Sequence, residues 1–486
     1  MSTNKLADIA MIGMGVMGEN LAMNMENKGY KVAVFDIISK TIDKFKENRG
    51  KDKNFIPCYS LNEVVNNLKT PRILMIMIKA GDPVDQVINT LIPLLEKGDI
   101  IVDGGNSNYE DTQRRAKLLE EKGLRFIGMG VSGGEEGALN GPCLMPGGSN
   151  EAWQYVKPIF TDISAKLENG ERCCAWIGNN GAGHFVKMVH NGIEYGDMQI
   201  ICEVYDIMRK ALKISEDEMS EIFNLWNKGR LNSYLIEITS NILKYKDEDG
   251  EAIVNKILDT AGQKGTGKWA SINALNEGVP LTLITEAVYA RCISSFKEER
   301  DIANKHFAKE IAMFKGNKKE FIDDLENALY AAKIISYAQG FALLKSASNT
   351  YNWDLHYDEI ALIFRGGCII RSAFLSTISE AFKKNKNLTN LLLDDYFAEA
   401  LKNALDGFRK VVAFAVSNGI PTPALGSALN YFDSYTSNRL PQNLLQAQRD
   451  YFGAHTYERV DRPRGEVHHT NWTGCGGDTT STNYNV

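Results

Sequence analysis

The chain has 486 residues, 44% hydrophobic and 24% charged. That is ordinary for a globular protein but long for one core, and roughly three units is the prior from length. A net charge of -6 gives no general electrostatic footprint for nucleic acid, so an anionic ligand must be held by cations gathered locally. The run Ile73-Leu-Met-Ile-Met-Ile78 is too short to cross a bilayer, and Met1-Ser-Thr-Asn-Lys-Leu-Ala-Asp8 has no secretory apolar segment. Eight scattered cysteines show neither C-x-x-C pairing nor zinc spacing. A cytoplasmic protein with reduced thiols and no metal is expected.

A strand, Ala7-Asp-Ile-Ala-Met-Ile12, leads into Gly13-Met14-Gly15-Val16-Met17-Gly18. A helical pattern (Glu19 to Lys28) and a second strand, Lys31-Val-Ala-Val-Phe35, follow, and the strand ends at Asp36, eighteen residues past the last glycine. G-x-G-x-x-G is weak as bare letters. With a strand before it, a helix after it and an acid at this distance, it reads as a dinucleotide fingerprint. The helix N-terminus then offers unpaired N–H groups and a favourable dipole to phosphates. Asp36 would face the ribose, whereas Ser39 is the better placed residue to cap the next helix.

Further strands read as Arg72–Ile78, Asp99–Asp103 and Leu124–Ile127, with helical patterns at about 83–95 and 109–122. This alternation predicts an α/β, doubly wound (Rossmann-type) parallel sheet over residues 1–180. Ligands bind beyond the carboxyl ends of such strands. Three segments fall there and would line a crevice: Lys79-Ala80-Gly81, Gly104-Gly105-Asn106-Ser107 and Val131-Ser132-Gly133-Gly134.

After Gly178-Asn-Asn-Gly-Ala-Gly183 the apolar spacing turns helical, predicting an all-α domain over 181–440. Lys187, His190, Asn191 and Glu194 fall at i, i+3, i+4 and i+7, so they share one helix face. Amine, imidazole, amide and carboxylate make poor core material, yet their neighbours are apolar or small. A solvated face and an active-site helix are the two readings, and Gly192 favours the second, since a mid-helix glycine admits close approach. Asp217-Glu218 before Ile222-Phe223 and Asp358-Glu359 before Ile363-Phe364, 141 residues apart, suggest an internal duplication or a coincidence.

Gly262-Gln-Lys264-Gly-Thr-Gly267-Lys268-Trp269 nearly spells a P-loop, but Trp269 stands where the Mg²⁺-binding hydroxyl belongs and no strand precedes it. A phosphate can still be held there by ammonium and backbone N–H groups. Residues 441–486 form a tail whose last part, from about Arg462, has too little apolar matter to fold alone.

Four stretches resemble the decarboxylating 6-phosphogluconate dehydrogenase family: Ile127-Gly-Met-Gly-Val-Ser-Gly-Gly134, Lys187-Met-Val-His-Asn-Gly-Ile-Glu-Tyr195, Ala261-Gly-Gln-Lys-Gly-Thr-Gly-Lys-Trp269 and Gln448-Arg-Asp-Tyr-Phe-Gly-Ala-His455. The resemblance runs from Ile9 to Tyr457. It implies oxidative decarboxylation of 6-phosphogluconate to ribulose 5-phosphate without a metal. Lys187 would serve as general base and then acid, and Glu194 as proton donor to the enediol. It further implies that Asn106, Ser132, Gly133, Gly134, His190 and Asn191 hold the sugar acid and that Tyr195, Lys264 and Arg291 hold its phosphate. Arg449 and His455 would arrive from the other subunit of a homodimer, carried by the tail. The dinucleotide is implied at the glycine turn, at Asp36, Ile37 and Ile38, at Ile78, Lys79 and Ala80, and at Asn106.

One place departs from the family pattern. Where most members have Asn-Arg-Thr and grip the 2′-phosphate of NADP, this chain has Asp36-Ile37-Ile38. An acid accepts hydrogen bonds from a ribose 2′-hydroxyl and repels a 2′-phosphate, so NAD is the expected preference, with Lys40 a possible rescue for NADP. Other β-hydroxyacid dehydrogenases lack the phosphate-gathering set of Lys264, Arg291, Arg449 and His455. A cofactor-binding sensor without turnover would not need Lys187 and Glu194.

Overall fold

The structure, a computed structural model, describes residues 6–476 and 479–481. Residues 1–5, on which part of the leader expectation rests, lie outside the described residues, as does the end of the tail. Seven strands, β1 (Ile9–Ile12), β2 (Val32–Phe35), β3 (Phe55–Cys58), β4 (Ile73–Ile76), β5 (Ile100–Asp103), β6 (Arg125–Ser132) and β7 (Cys143–Gly148), form a sheet ordered β3-β2-β1-β4-β5-β6-β7. Between them run α1 (Val16–Asn27), α2 (Ser39–Glu47), α3 (Leu61–Asn66), α4 (Asp82–Leu91), α5 (Tyr109–Glu121) and α6 (Gly134–Asn140), and α7 (Asn150–Ile163) follows β7.

Every residue of β1, β4 and β5 is buried, as expected of central strands covered by helices on both faces. The first six strands are parallel, while β7 pairs antiparallel with β6. β7 was not foreseen: Cys-Leu-Met-Pro-Gly-Gly lacks alternation, and Pro146 is tolerated because the strand lies at the sheet edge. The chain leaves β1 for β2 and β3, then returns to β4 on the other side of β1. That reversal opens a crevice at the carboxyl ends of β1 and β4.

The helical part contains α8 (Ala182–Ile207), α9 (Glu216–Trp226), α10 (Tyr234–Lys244), α11 (Thr266–Asn276), α12 (Thr282–Ser294), α13 (Lys297–Phe307) and α14 (Lys318–Tyr351). It continues through α15 (Tyr357–Ile363), α16 (Leu375–Lys384), α17 (Asp395–Asn418) and α18 (Pro423–Thr436). Three later helices each begin 141 residues after an earlier one: α9 and α15 at 216 and 357, α10 and α16 at 234 and 375, α12 and α18 at 282 and 423.

The chain divides into two compact units, Met1–Ala428 and Leu429–Val486. Residue 180 falls inside the first, because α8 is pressed onto the sheet. A Cβ on Gly183 would stand 2.3 Å from the Met145 carbonyl oxygen and 2.4 Å from that of Gly128. In the second unit, α19 (Gln442–Gly453) carries the buried Asp450, whose carboxylate accepts from Thr456 N–H (3.0 Å), His469 Nδ1 (2.8 Å), Thr470 N–H (3.0 Å) and Trp472 Nε1 (2.8 Å). Residues 469–472 are thus gathered around a polar centre. Among the described residues no helix is long and apolar enough to cross a membrane.

Candidate active site

The crevice beyond β1, β4 and β5 is a cavity of about 820 Å³. It brings together Gly13, Gly15, Val16, Met17, Gly18, Asp36, Ile78, Lys79, Ala80 and Asn106 from the cofactor residues expected of the sequence, and Lys264 from the phosphate set. Gly13 takes φ +100°, a conformation glycine adopts without penalty, and a Cβ on Gly18 would stand 1.9 Å from the Gly13 carbonyl oxygen. The turn therefore requires both glycines. Met14 borders the adjoining hollow with Lys40 and Lys44. Ile37 and Ile38 project outward, 90% and 61% exposed.

Asp36 does more than end the strand. Its Oδ2 accepts the Met14 N–H at 2.8 Å and its Oδ1 accepts the Ile38 N–H at 2.9 Å. Ser39 does not cap α2: the N-cap position is Ile38, without a side-chain cap bond. Asp36 takes over part of that job from two residues upstream.

On α8 the four polar side chains fall where their spacing predicts, and Lys187, His190 and Asn191 are buried. Gly192 admits close neighbours, but these are helices: a Cβ there would meet Ala270 at 3.1 Å and Ile284 at 3.2 Å. His190 Nε2 lies 3.1 Å from Ser132 Oγ and 2.9 Å from Cys368 Sγ, while Nδ1 lies 3.0 Å from Asn191 Oδ1. Asn191 Nδ2 donates to Thr266 Oγ1 at 2.9 Å. Glu194 Oε2 is 3.8 Å from His190 Nδ1.

Burial dominates the electrostatics of this stripe. It lowers the Lys187 pKa, with Glu194, Cys368 and Cys143 pulling back. It raises that of Glu194, against Lys187 and Arg291 and with the help of Asp197. His190 is held well below its ordinary range by burial and by Lys187. An amine whose charged form is disfavoured and a carboxyl whose proton is held more tightly, on one face, have the shifts that suit a base and an acid.

Gly133 and Gly134 open α6 with φ +122° and +62°. Tyr195 is buried beneath Arg291, whose guanidinium carbon stands 3.4 Å from the ring centroid. Arg291 Nη1 also donates to the Gly262 carbonyl at 3.2 Å, tying down the loop that carries Lys264. That loop ends at Gly265, and α11 starts with no side-chain cap on its N–H groups. Arg449 and His455 belong to the second unit, where Arg449 Nη1 donates to Gln446 Oε1 at 3.1 Å. Among the described residues no cluster of three or more His, Cys, Asp or Glu is arranged to hold a metal ion.

Two neighbours of the stripe come from distant parts of the sequence. Cys368 reaches His190 across 178 residues and Thr266 reaches Asn191 across 75. Only Thr266 carried a usable signal, because it lies within the glycine-rich loop already singled out.

Comparison with known proteins covers nearly the whole chain. Residues 8–178 match the model of the NAD binding domain of 6-phosphogluconate dehydrogenase, and residues 183–472 match that of the 6-phosphogluconate dehydrogenase C-terminal domain. A decarboxylating 6-phosphogluconate dehydrogenase of Haemophilus influenzae is 59% identical over 479 residues, 99% of each chain. The Homo sapiens relative of the same description is 54% identical over 481 residues, again 99% of each. A solved Plasmodium falciparum 6-phosphogluconate dehydrogenase, described in its apo form and in complexes with NADP+ and with 6-phosphogluconate, is similar with a TM-score of 0.92 and 47% identity. That similarity covers 96% of this chain and 100% of the other.

Proposed function

Because the chain belongs to the 6-phosphogluconate dehydrogenase family, we propose how its own side chains divide the oxidative decarboxylation of 6-phosphogluconate to ribulose 5-phosphate and CO₂. The observation that carries the assignment is the buried stripe on α8, where Lys187 is driven towards its neutral form and Glu194 towards its protonated one. A bound nicotinamide dinucleotide supplies the acceptor for hydride from C3. The glycine turn and Asp36 would hold its adenosine end, and Lys79, Ala80 and Asn106 its other end.

Lys187 takes the proton of the C3 hydroxyl as hydride leaves. The product is a β-keto acid. Protonated Lys187 hydrogen-bonds its C3 oxygen, so the C1–C2 electron pair can move into an enolate as CO₂ departs, and no metal is needed. Glu194 then delivers its proton to C2. Asn106, Ser132, Gly133, Gly134, His190 and Asn191 hold the sugar acid, with the neutral His190 fixed by Ser132, Cys368 and Asn191. Tyr195, Lys264 and Arg291 take the phosphate.

Arg449 and His455 complete that phosphate site from the second subunit of a homodimer. Exposed Ile272 and Leu275 on α11, Tyr289 and Ile293 on α12, Phe296 just before α13 and Phe307 at its end support burial against a second copy. NAD is the preferred cofactor: Asp36 lines the crevice where the ribose would lie, and Ile37 brings no charge to a 2′-phosphate. A cytoplasmic location follows the family and suits eight free cysteines. The test is initial rate with 6-phosphogluconate against NAD and NADP separately, with CO₂ release followed in parallel. Absence of CO₂ with either cofactor would overturn the reading.

A further inference from the structure

Arg115 lies on α5, away from the catalytic stripe, and its side chain is fully buried. Its guanidinium touches both lips of the crevice. Nε and Nη2 donate to the two carboxylate oxygens of Asp85 at 2.9 and 3.0 Å, and Nη2 also donates to the Gly81 carbonyl at 3.0 Å. Those partners fix the Lys79–Gly81 loop and the start of α4. On the other side, Nη1 donates to Asp103 Oδ2 at 3.2 Å and to Ser107 Oγ at 3.3 Å. Asp103 in turn accepts from Ser107 Oγ at 2.6 Å and from Gly105 N–H at 3.0 Å, which shapes the loop carrying Asn106.

A buried guanidinium with so many partners, joined to two loops that meet nowhere in sequence, is more than a core ion pair needs. Asp85 answers its charge: that carboxyl is pulled down to about 2, first by the Arg115 hydrogen bonds. The two loops it joins lie at the ends of β4 and β5, on the far side of β1 from Asp36. In a doubly wound sheet that half of the crevice receives the second mononucleotide. We propose that Arg115 is a positioning residue that sets the spacing of the two loops around the nicotinamide half of the cofactor and so aims its ring at the substrate. This rests on the dehydrogenase reading above.

The fork geometry is what Lys cannot reproduce. In full-length protein carrying Arg115→Lys, the affinity for the reduced dinucleotide that wild type prefers falls about tenfold or more and kcat falls with it, since small misplacements of reacting groups are costly. The affinity for the matching ADP-ribose, or its 2′-phosphate, which lacks nicotinamide, stays within about twofold, because the adenosine half does not touch this network. Ser107→Ala keeps every Arg–Asp bond and shows the same split at smaller scale, and it decides the matter should Arg115→Lys fail to fold. Equal loss of both ligands, as a merely structural role predicts, or no loss of either, overturns the inference. A wild type that binds neither ligand would overturn the functional reading, and this inference with it.

Discussion

The carboxylate of Asp36 accepts the backbone N–H of Met14 at 2.8 Å, so the acid at the end of β2 is bonded to the glycine turn it faces. Asn at this position can keep that bond through its amide oxygen while removing the charge, though it gives up the second bond, from the Ile38 N–H. Asp36→Asn should therefore keep the Met14 bond and raise the ratio of kcat/KM for NADP over NAD by about tenfold or more, since one partly buried charge is removed. Steady-state rates with each cofactor check this. An unchanged ratio would show that Asp36 does not set the preference.

Lys187 carries a cost to the fold as well as its proposed role in the chemistry. Lys187→Met should lower kcat by about 10³-fold, as loss of a general base does. It should also raise stability by roughly 1 kcal/mol, because a buried amine is replaced by an apolar chain of similar length. The folded chain binds this proton less tightly than the unfolded one, so wild-type stability rises with pH below the ordinary lysine value of 10.5. The variant loses that slope. In wild type the limb of kcat/KM due to Lys187 lies below 10.5, while kcat declines as Glu194 ionises above its ordinary 4.5. Thermal melts and pH–rate profiles test all of this.

Asp197 and Lys333 form an ion pair between α8 and α14, with both side chains essentially inaccessible. Lys333→Met alone would strand a buried carboxylate and should destabilise by about 3–5 kcal/mol. Asp197→Leu together with Lys333→Met should recover most of that loss, and urea unfolding of both variants measures it. A double variant no better than the single would show that the pair contributes net stability of its own.

A Cβ on Gly130 would stand 2.4 Å from Lys187 Cβ. Gly130→Ala must displace the base from β6 and should reduce kcat by more than about tenfold, since such displacements of a reacting group are costly. Helix content by circular dichroism should change little. Normal turnover would mean that α8 slides without penalty.

What was legible in the sequence was local. The glycine turn and Asp36 are one strand–helix–strand apart, and Lys187, His190, Asn191 and Glu194 sit within two helical turns, so spacing alone placed them. What was illegible depended on distant partners. Arg114 and Arg115 are neighbours in a polar helix, yet the first is 53% exposed and the second 0%. Helical spacing puts Arg115 on the face of Tyr109, Thr112 and Leu119, but an arginine there does not announce burial. Lys333 and Asp197 are 136 residues apart, and β7 follows no strand-like pattern because its neighbours, not its letters, make it an edge.

The spacing of 141 residues has one more consequence. Counted along α14, it sets Ala328, Ala331, Ala332 and Ile335 opposite the places of Lys187, His190, Asn191 and Glu194 in α8, and all four are buried. One long helix bears the groups proposed to move protons, while the other is apolar at the same stations. On the proposed mechanism, chemistry and scaffolding fall to separate halves of the 141-residue pattern. Substitutions that tune the reaction should concentrate in the first half, leaving the second free to vary only in size.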